Sequence, residues 1–123
     1  MPLVLGTRLP EPVLVALEAR TRGHLTEHGL ATELPSSPLY EDDGYWRGPI
    51  WAPATALLED GLRAGGFTDL ADAVSARFRA LCERSGFAEN FDARTGAGLR
   101  DRAYTWTAAV YLMLAADHAH RTP

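Results

Sequence analysis

The chain has 123 residues, a formal net charge of −4, 46% hydrophobic residues and 23% charged residues, which suits one globular domain and is too apolar for disorder. The negative charge argues against nucleic acid and against an anionic membrane surface as partners. All twelve basic residues are Arg and Cys82 is the only cysteine, so an intrachain disulfide is excluded and a reducing cytoplasm is the expected setting.

The amino terminus, MPLVLGTRLPEP, has neither a basic stretch nor a long apolar core, and no signal peptide is expected from it. A first helix is predicted near residues 10–22. Pro10 and Pro12 suit its opening turn, Val13, Leu14 and Leu17 share a face, and Gly23 offers a stop. A second helix is predicted near 53–65, with Leu57, Leu58, Gly61 and Leu62 at helical spacing and Gly65-Gly66 as its end. The third, near 68–85, has Thr68 as a candidate cap and Asp69 and Asp72 where the helix dipole favours anions. Its apolar stripe is Leu70, Val74, Phe78, Leu81 and Cys82, and Gly86 closes it. The fourth, near 102–120, carries Trp106, Val110, Met113 and Leu114 on its expected main face. The apolar-leaning run Ala103–Ala116 within it falls short of the ~20 residues of a membrane span.

The fold class expected is therefore all-α, a single domain over 1–123, with at most a short extended pair near Leu25 to Thr32. Two long loops remain, Gly23 to Trp51 and Gly86 to Asp101, and loops of this length in a compact domain are usually functional. The first ends in DDGYWRGPIWAP, residues 42–53. Aromatic faces stack on sugar C–H surfaces or cations, and Arg47 offers a planar fork of donors. The same residues equally suit a rigid loop whose Trp side chains plug a small core. The second holds ENFDARTGAG, residues 89–98. On spacing alone its acids read as turn chemistry, with Asp92 bonding nearby backbone N–H groups. His24, His28, His118 and His120 have no Cys or further His placed to complete a zinc site. Neither a metal nor a cofactor is expected.

Taken together, LATELPSSPLYEDDGYWRGPIWAP, DGLRAGG and GFAENFDARTGAGLRDRAYTWTAAVYLML resemble the carboxy-terminal part of a glycoside hydrolase catalytic domain. The resemblance is to the family 63 glucosidases and mannosylglycerate-hydrolase-like enzymes, relatives of trehalase, and covers roughly Leu30 to Leu114. It rests on YWRGPxW, then a helix pair, then E-x-[YF]-D with a following TG-x-G, then an aromatic-x-W-T-A helix.

The resemblance implies a barrel of six helical hairpins, an α/α toroid, and an inverting mechanism with a general acid and a general base. It implies that Glu89 is the base. Tyr45, Trp46, Arg47, Trp51 and Trp106 would line the sugar pocket, with Glu89 facing the same cleft as Trp46, Arg47 and Trp51; an Arg47 within ~4–6 Å of Glu89 would favour its ionised form. Asp92, Gly96 and Gly98 would structure the loop that presents Glu89. The substrate implied is a carbohydrate of the glucoside type. The family's acid, an Asp, matches nothing here: Glu33, Asp42 and Asp43 are carboxylates outside its motif. Four helices amount to about a third of such a barrel, as in a natural truncation, a split gene product or an excised piece. The helix faces of a barrel segment lack their neighbours, so homo-oligomerisation or association with the missing segment is expected.

Overall fold

A computed structural model describes residues 1–123. Two short 3₁₀ turns, Pro2–Arg8 with a kink at Gly6, precede four helices: α1 (Glu11–His24), α2 (Ala52–Ala64), α3 (Thr68–Ser85) and α4 (Thr105–Arg121). The only strands are β1 (Asn90–Phe91) and β2 (Gly98–Leu99), an antiparallel pair of two residues each. The architecture is thus all-α, and the helices α2, α3 and α4 pack on one another.

The helix boundaries follow local chemistry, with three departures from the sequence-based expectation. α1 runs through Gly23 to His24, and Leu25 is its cap. Thr68 is the first helical residue of α3 and does not cap it; Phe67 stands at the cap position with no side-chain bond. The opening 3₁₀ segment has too short a pattern to be read in advance. It is held because Leu3, 2% exposed, reaches α2 at Gly61. A Cβ at Gly61 would lie 2.7 Å from the Leu3 carbonyl oxygen, so only a glycine admits this approach.

Two cores result. Phe78, Leu81 and Cys82 of α3 join Ile50, Ala52, Phe91, Val110 and Leu114 in one. Leu70 and Val74 of α3 join Leu3, Leu14, Leu30 and Leu62 in the other. The α3 stripe is buried along its whole length, as its spacing predicts. On α4 the buried positions are Thr107, Val110 and Leu114, whereas Trp106 is 39% and Met113 58% exposed. The face is rotated from the expected one because the Thr107 hydroxyl donates to the Ala88 carbonyl at 2.7 Å, drawing that side of the helix inward. On α1 Leu14 is buried but Val13 is 42% exposed.

The extended pair near Leu25–Thr32 exists as isolated bridges, Leu25 with Leu30 and Ala31 with Ile50. A further bridge joins Ile50 to Phe91. That last bridge links the two long loops and positions everything that follows. No helix is long and apolar enough to cross a membrane.

Candidate functional site

Ile50 and Phe91 are both fully buried. Their backbones exchange both hydrogen bonds, Ile50 N–H to Phe91 O at 2.7 Å and Phe91 N–H to Ile50 O at 3.0 Å. Burial makes this pairing obligatory, since neither amide can turn to water. It sets the chain around Trp51 alongside Glu89 and Asn90. Glu89 is fixed from its other side too: its N–H donates to the Asp101 carbonyl at 2.7 Å. Parallel to this, Tyr104 N–H donates to Phe87 O at 2.9 Å, so the start of α4 is tied to the segment leading into β1.

The aromatic side chains gather into one cluster. Trp46 stacks on Trp51 with ring centroids 3.9 Å apart and planes 12° from parallel. Tyr45 meets Trp51 edge-on at 4.9 Å, Trp106 meets Trp51 at 5.8 Å, and Tyr104 meets Trp106 at 5.0 Å. Trp51 is wholly buried, while Tyr45, Trp46 and Trp106 are 44%, 46% and 39% exposed. Of the two Trp residues singled out in the first loop, Trp51 is therefore the floor and Trp46 the exposed surface. The Trp51 Nε1–H donates to the Tyr45 carbonyl at 2.8 Å, which holds Tyr45 at a left-handed φ of 62°.

Arginine side chains join the two loops. Arg94 reaches Asp42 at 3.3 Å and lies over the Tyr40 ring, 4.4 Å from its centroid. Arg100 reaches Asp43 at 2.7 Å. Arg47 pairs with Glu41 at 3.0 Å across its own turn. None of the chain's ion pairs includes Glu89, whose side chain is half-buried. Its charge is felt by the Tyr104 phenol, whose pKa is raised first by burial and then by Glu89, with Tyr45 and Asp101 adding. Tyr104 is a neighbour that sequence reasoning did not single out. Its one signal is the aromatic position two before Trp106.

The hairpin carrying Glu89 is closed by Asp92. Its Oδ1 accepts from the N–H groups of Arg94 at 2.8 Å and Thr95 at 3.2 Å, the turn chemistry read from its spacing. Gly96 has φ 76°, and a Cβ there would lie 2.9 Å from His28 Nδ1. At Gly98 a Cβ would lie 2.9 Å from the Ala88 Cβ. An open cavity of about 630 Å³ lies against Asp101, Tyr104 and Trp106; Glu89, Trp46 and Trp51 are not among its lining. No group of three His, Cys, Asp or Glu gathers as metal ligands.

Comparison with known proteins adds to this geometry. Residues 1–107 match the mannosylglycerate hydrolase MGH1-like glycoside hydrolase domain. A mannosylglycerate hydrolase from Thermus thermophilus is 37% identical over 113 residues, covering 91% of this chain and 27% of that protein. The chain thus spans about a quarter of the length of that relative. Among solved structures, the family 63 mannosylglycerate hydrolase from the same species in complex with glucose superposes with a TM-score of 0.78 at 32% identity, over 91% of this chain and 29% of that one. Its complex with Tris and D-glycerate gives 0.79 at 35% identity, over 93% and 28%. These structures match the helical arrangement as part of a larger α/α toroid.

Proposed function

The chain belongs to the mannosylglycerate hydrolase MGH1-like glycoside hydrolase family, and from that premise we propose that it forms one wall of an inverting glycosidase's sugar site, with Glu89 as the general base. The observation that carries the reading is the Ile50–Phe91 pairing, which sets the aromatic loop beside β1 and the Glu89 that precedes it. A base must take a proton from water as that water attacks the anomeric carbon. Glu89 is suited to this because no arginine holds it in an ion pair and its backbone is tied at Asp101. Tyr45, Trp46 and Trp106 offer exposed faces for sugar C–H groups, and Trp51 supports Trp46 from beneath. Arg47 is half-exposed and can donate to sugar hydroxyls while keeping Glu41. Asp92, Gly96 and Gly98 hold the hairpin that presents the base.

An inverting pair places its two carboxyls ~6.5–9.5 Å apart to admit a water. The second carboxyl is not supplied by the neighbouring acids: Asp42 and Asp43 are held by Arg94 and Arg100, and Glu33 accepts from the Leu34 N–H. We assign the acid to a further segment, as the family resemblance implies, and expect no hydrolysis from the 123 residues alone. The substrate class is a glucoside-like carbohydrate: one matched structure holds glucose, and the relatives are mannosylglycerate hydrolases. We place the whole of 1–123 in one partial barrel domain with a cytoplasmic setting.

A second reading, a self-associating or weakly sugar-binding helical module without catalysis, draws on Leu57, Leu112 and Met113, which are 49%, 64% and 58% exposed. All three tryptophans of the chain are in the aromatic cluster, so titrating mannosylglycerate into the chain while following indole fluorescence tests the sugar wall. A saturable change without hydrolysis is expected. Hydrolysis by the chain alone, or an indole signal indifferent to the sugar, contradicts the proposal.

A further inference from the structure

We infer that Arg100 is a positioning residue of this site: its guanidinium locks the Tyr45 turn of the long loop onto Asn90, the first residue of β1 and the one that follows Glu89, so that the aromatic surface and the carboxylate keep one fixed spacing. The catalytic meaning of this rests on the general-base reading above, while the lock itself is a property of the chain and is measurable without turnover.

The first observation is the backbone. Arg100 has φ 64°, and Tyr45 has φ 62°; they are the only residues other than glycine in the left-handed region. Bulky side chains are strained there and glycine is not. A residue kept in such a conformation needs compensating contacts, and strain of this kind clusters where geometry matters. The two strained residues also touch each other, with the Arg100 guanidinium carbon 4.7 Å from the centre of the Tyr45 ring.

The second observation is what the guanidinium joins. Arg100 Nη1 lies 2.7 Å from Asp43 Oδ1 and donates to Asn90 Oδ1 at 3.0 Å. Asn90 is fully buried, and its Nδ2 has no partner. Arg100 is thus the group that sets the Asn90 amide, since only the oxygen can face a guanidinium. Asn90 directly follows Glu89. One side chain, just past β2, therefore spans the turn carrying Tyr45 and the start of β1 next to Glu89. The Tyr45 carbonyl in turn receives the Trp51 Nε1–H, which extends the lock to the aromatic floor.

An isolated surface ion pair does little, and Arg94 provides the comparison. It also bridges the two loops, through Asp42 and the Pro35 carbonyl, and it touches none of the clustered Tyr45, Trp46, Trp51 or Trp106. If joining the loops were all that mattered, the two arginines would be equivalent. A lysine at position 100 keeps a charge opposite Asp43 but lacks the flat guanidinium that lies against the Tyr45 ring while its Nη1 serves Asp43 and Asn90.

The test compares Arg100→Gly, Arg100→Lys and Arg94→Ala in the 123-residue chain, by melting temperature, near-ultraviolet circular dichroism and acrylamide quenching. Glycine relieves the backbone strain but leaves the buried Asn90 oxygen without its donor, so Arg100→Gly is expected to melt somewhat below the parent, while its indole dichroism is lost and quenching rises at temperatures where it is still folded. Arg100→Lys is expected to lose the same signals, and Arg94→Ala to keep them. In a full-length enzyme carrying this segment, Arg100→Gly is expected to lower kcat by about ten- to a hundredfold, as misplacement of reacting groups does. Indole signals unchanged in Arg100→Gly, lost only in step with the melting temperature, or equally lost in Arg94→Ala overturn the lock. Lost signals with unchanged kcat overturn its part in catalysis and leave the general-base reading to its own test.

Discussion

Trp51 makes the sharpest statement about how the aromatic cluster is built, and its replacement by Ala and by Phe separates area from hydrogen bonding. The indole is 0% exposed and is covered by Trp46, Tyr45 and Trp106 at 3.9, 4.9 and 5.8 Å. A buried Trp removes roughly 200 Å² from water, worth about 5 kcal/mol at ~25 cal/mol per Å². Alanine keeps a small part of this and leaves a cavity, so Trp51→Ala should cost about 4 kcal/mol. That is a large share of the ~5–15 kcal/mol stability of a domain. Phenylalanine keeps most of the area but strands the Tyr45 carbonyl, which now accepts from Nε1–H at 2.8 Å. Trp51→Phe should therefore cost about 2 kcal/mol. Urea unfolding followed by far-ultraviolet circular dichroism, at one fixed protein concentration, reads both values. A Trp51→Ala variant within ~1 kcal/mol of the parent would refute the reasoning, because a side chain so easily removed is not the floor of the cluster.

Three further outcomes are expected. Glu59 is 6% exposed and accepts from Arg63 Nε at 3.0 Å, so Glu59→Ala should lower stability by about 2 kcal/mol and Glu59→Gln by less; thermal melts check the order. Burial, with Glu83 adding, pushes the Cys82 thiol from 9.0 up to about 12. The folded chain then keeps a proton that the unfolded chain releases, so this contribution is intact below pH 9 and fades as pH rises from 9 to about 12. The urea midpoint of the parent should fall across that window more than that of Cys82→Ala. Finally, the exposed Val15, Leu57, Leu112 and Met113 should drive association, and light scattering at micromolar concentration should return more than the 13.4 kDa of one chain; a 13.4 kDa species with a cooperative melt contradicts this.

The α3 stripe was legible because five apolar residues at helical spacing have one way to be buried, and Gly65-Gly66 and Gly86 punctuate it. α4 was legible as a helix and not as a face. Trp106 and Met113 carry the apolar signal, yet Thr107 is the residue drawn inward, through a bond to a carbonyl of a distant loop. The opening 3₁₀ turns were invisible because their burial depends on Gly61 admitting the backbone of Leu3, a contact between segments that no local pattern records. For the site, Glu89 and the aromatic residues emerged only through family resemblance, since composition left core plug and sugar surface equally open. The pairing of Arg47 with Glu41 was not foreseen because it depends on the turn folding back on itself, with Glu41 N–H bonded to Arg47 O at 2.9 Å. Arg100 carried no signal at all: a left-handed arginine is indistinguishable in sequence from an exposed one, and its partners are fixed by tertiary contact.

The role of Glu89 is the centre of this account, and the direct measurement is turnover beside a binding titration for Glu89→Gln in a full-length enzyme carrying this segment. The amide keeps the shape of the side chain and removes its basicity. Sugar affinity should stay near that of the parent, while kcat should fall by at least about 10²-fold, the lower end of what a positioned base supplies. Near-normal turnover in Glu89→Gln would contradict the assignment and return ENFDARTGAG to the role of a structural turn.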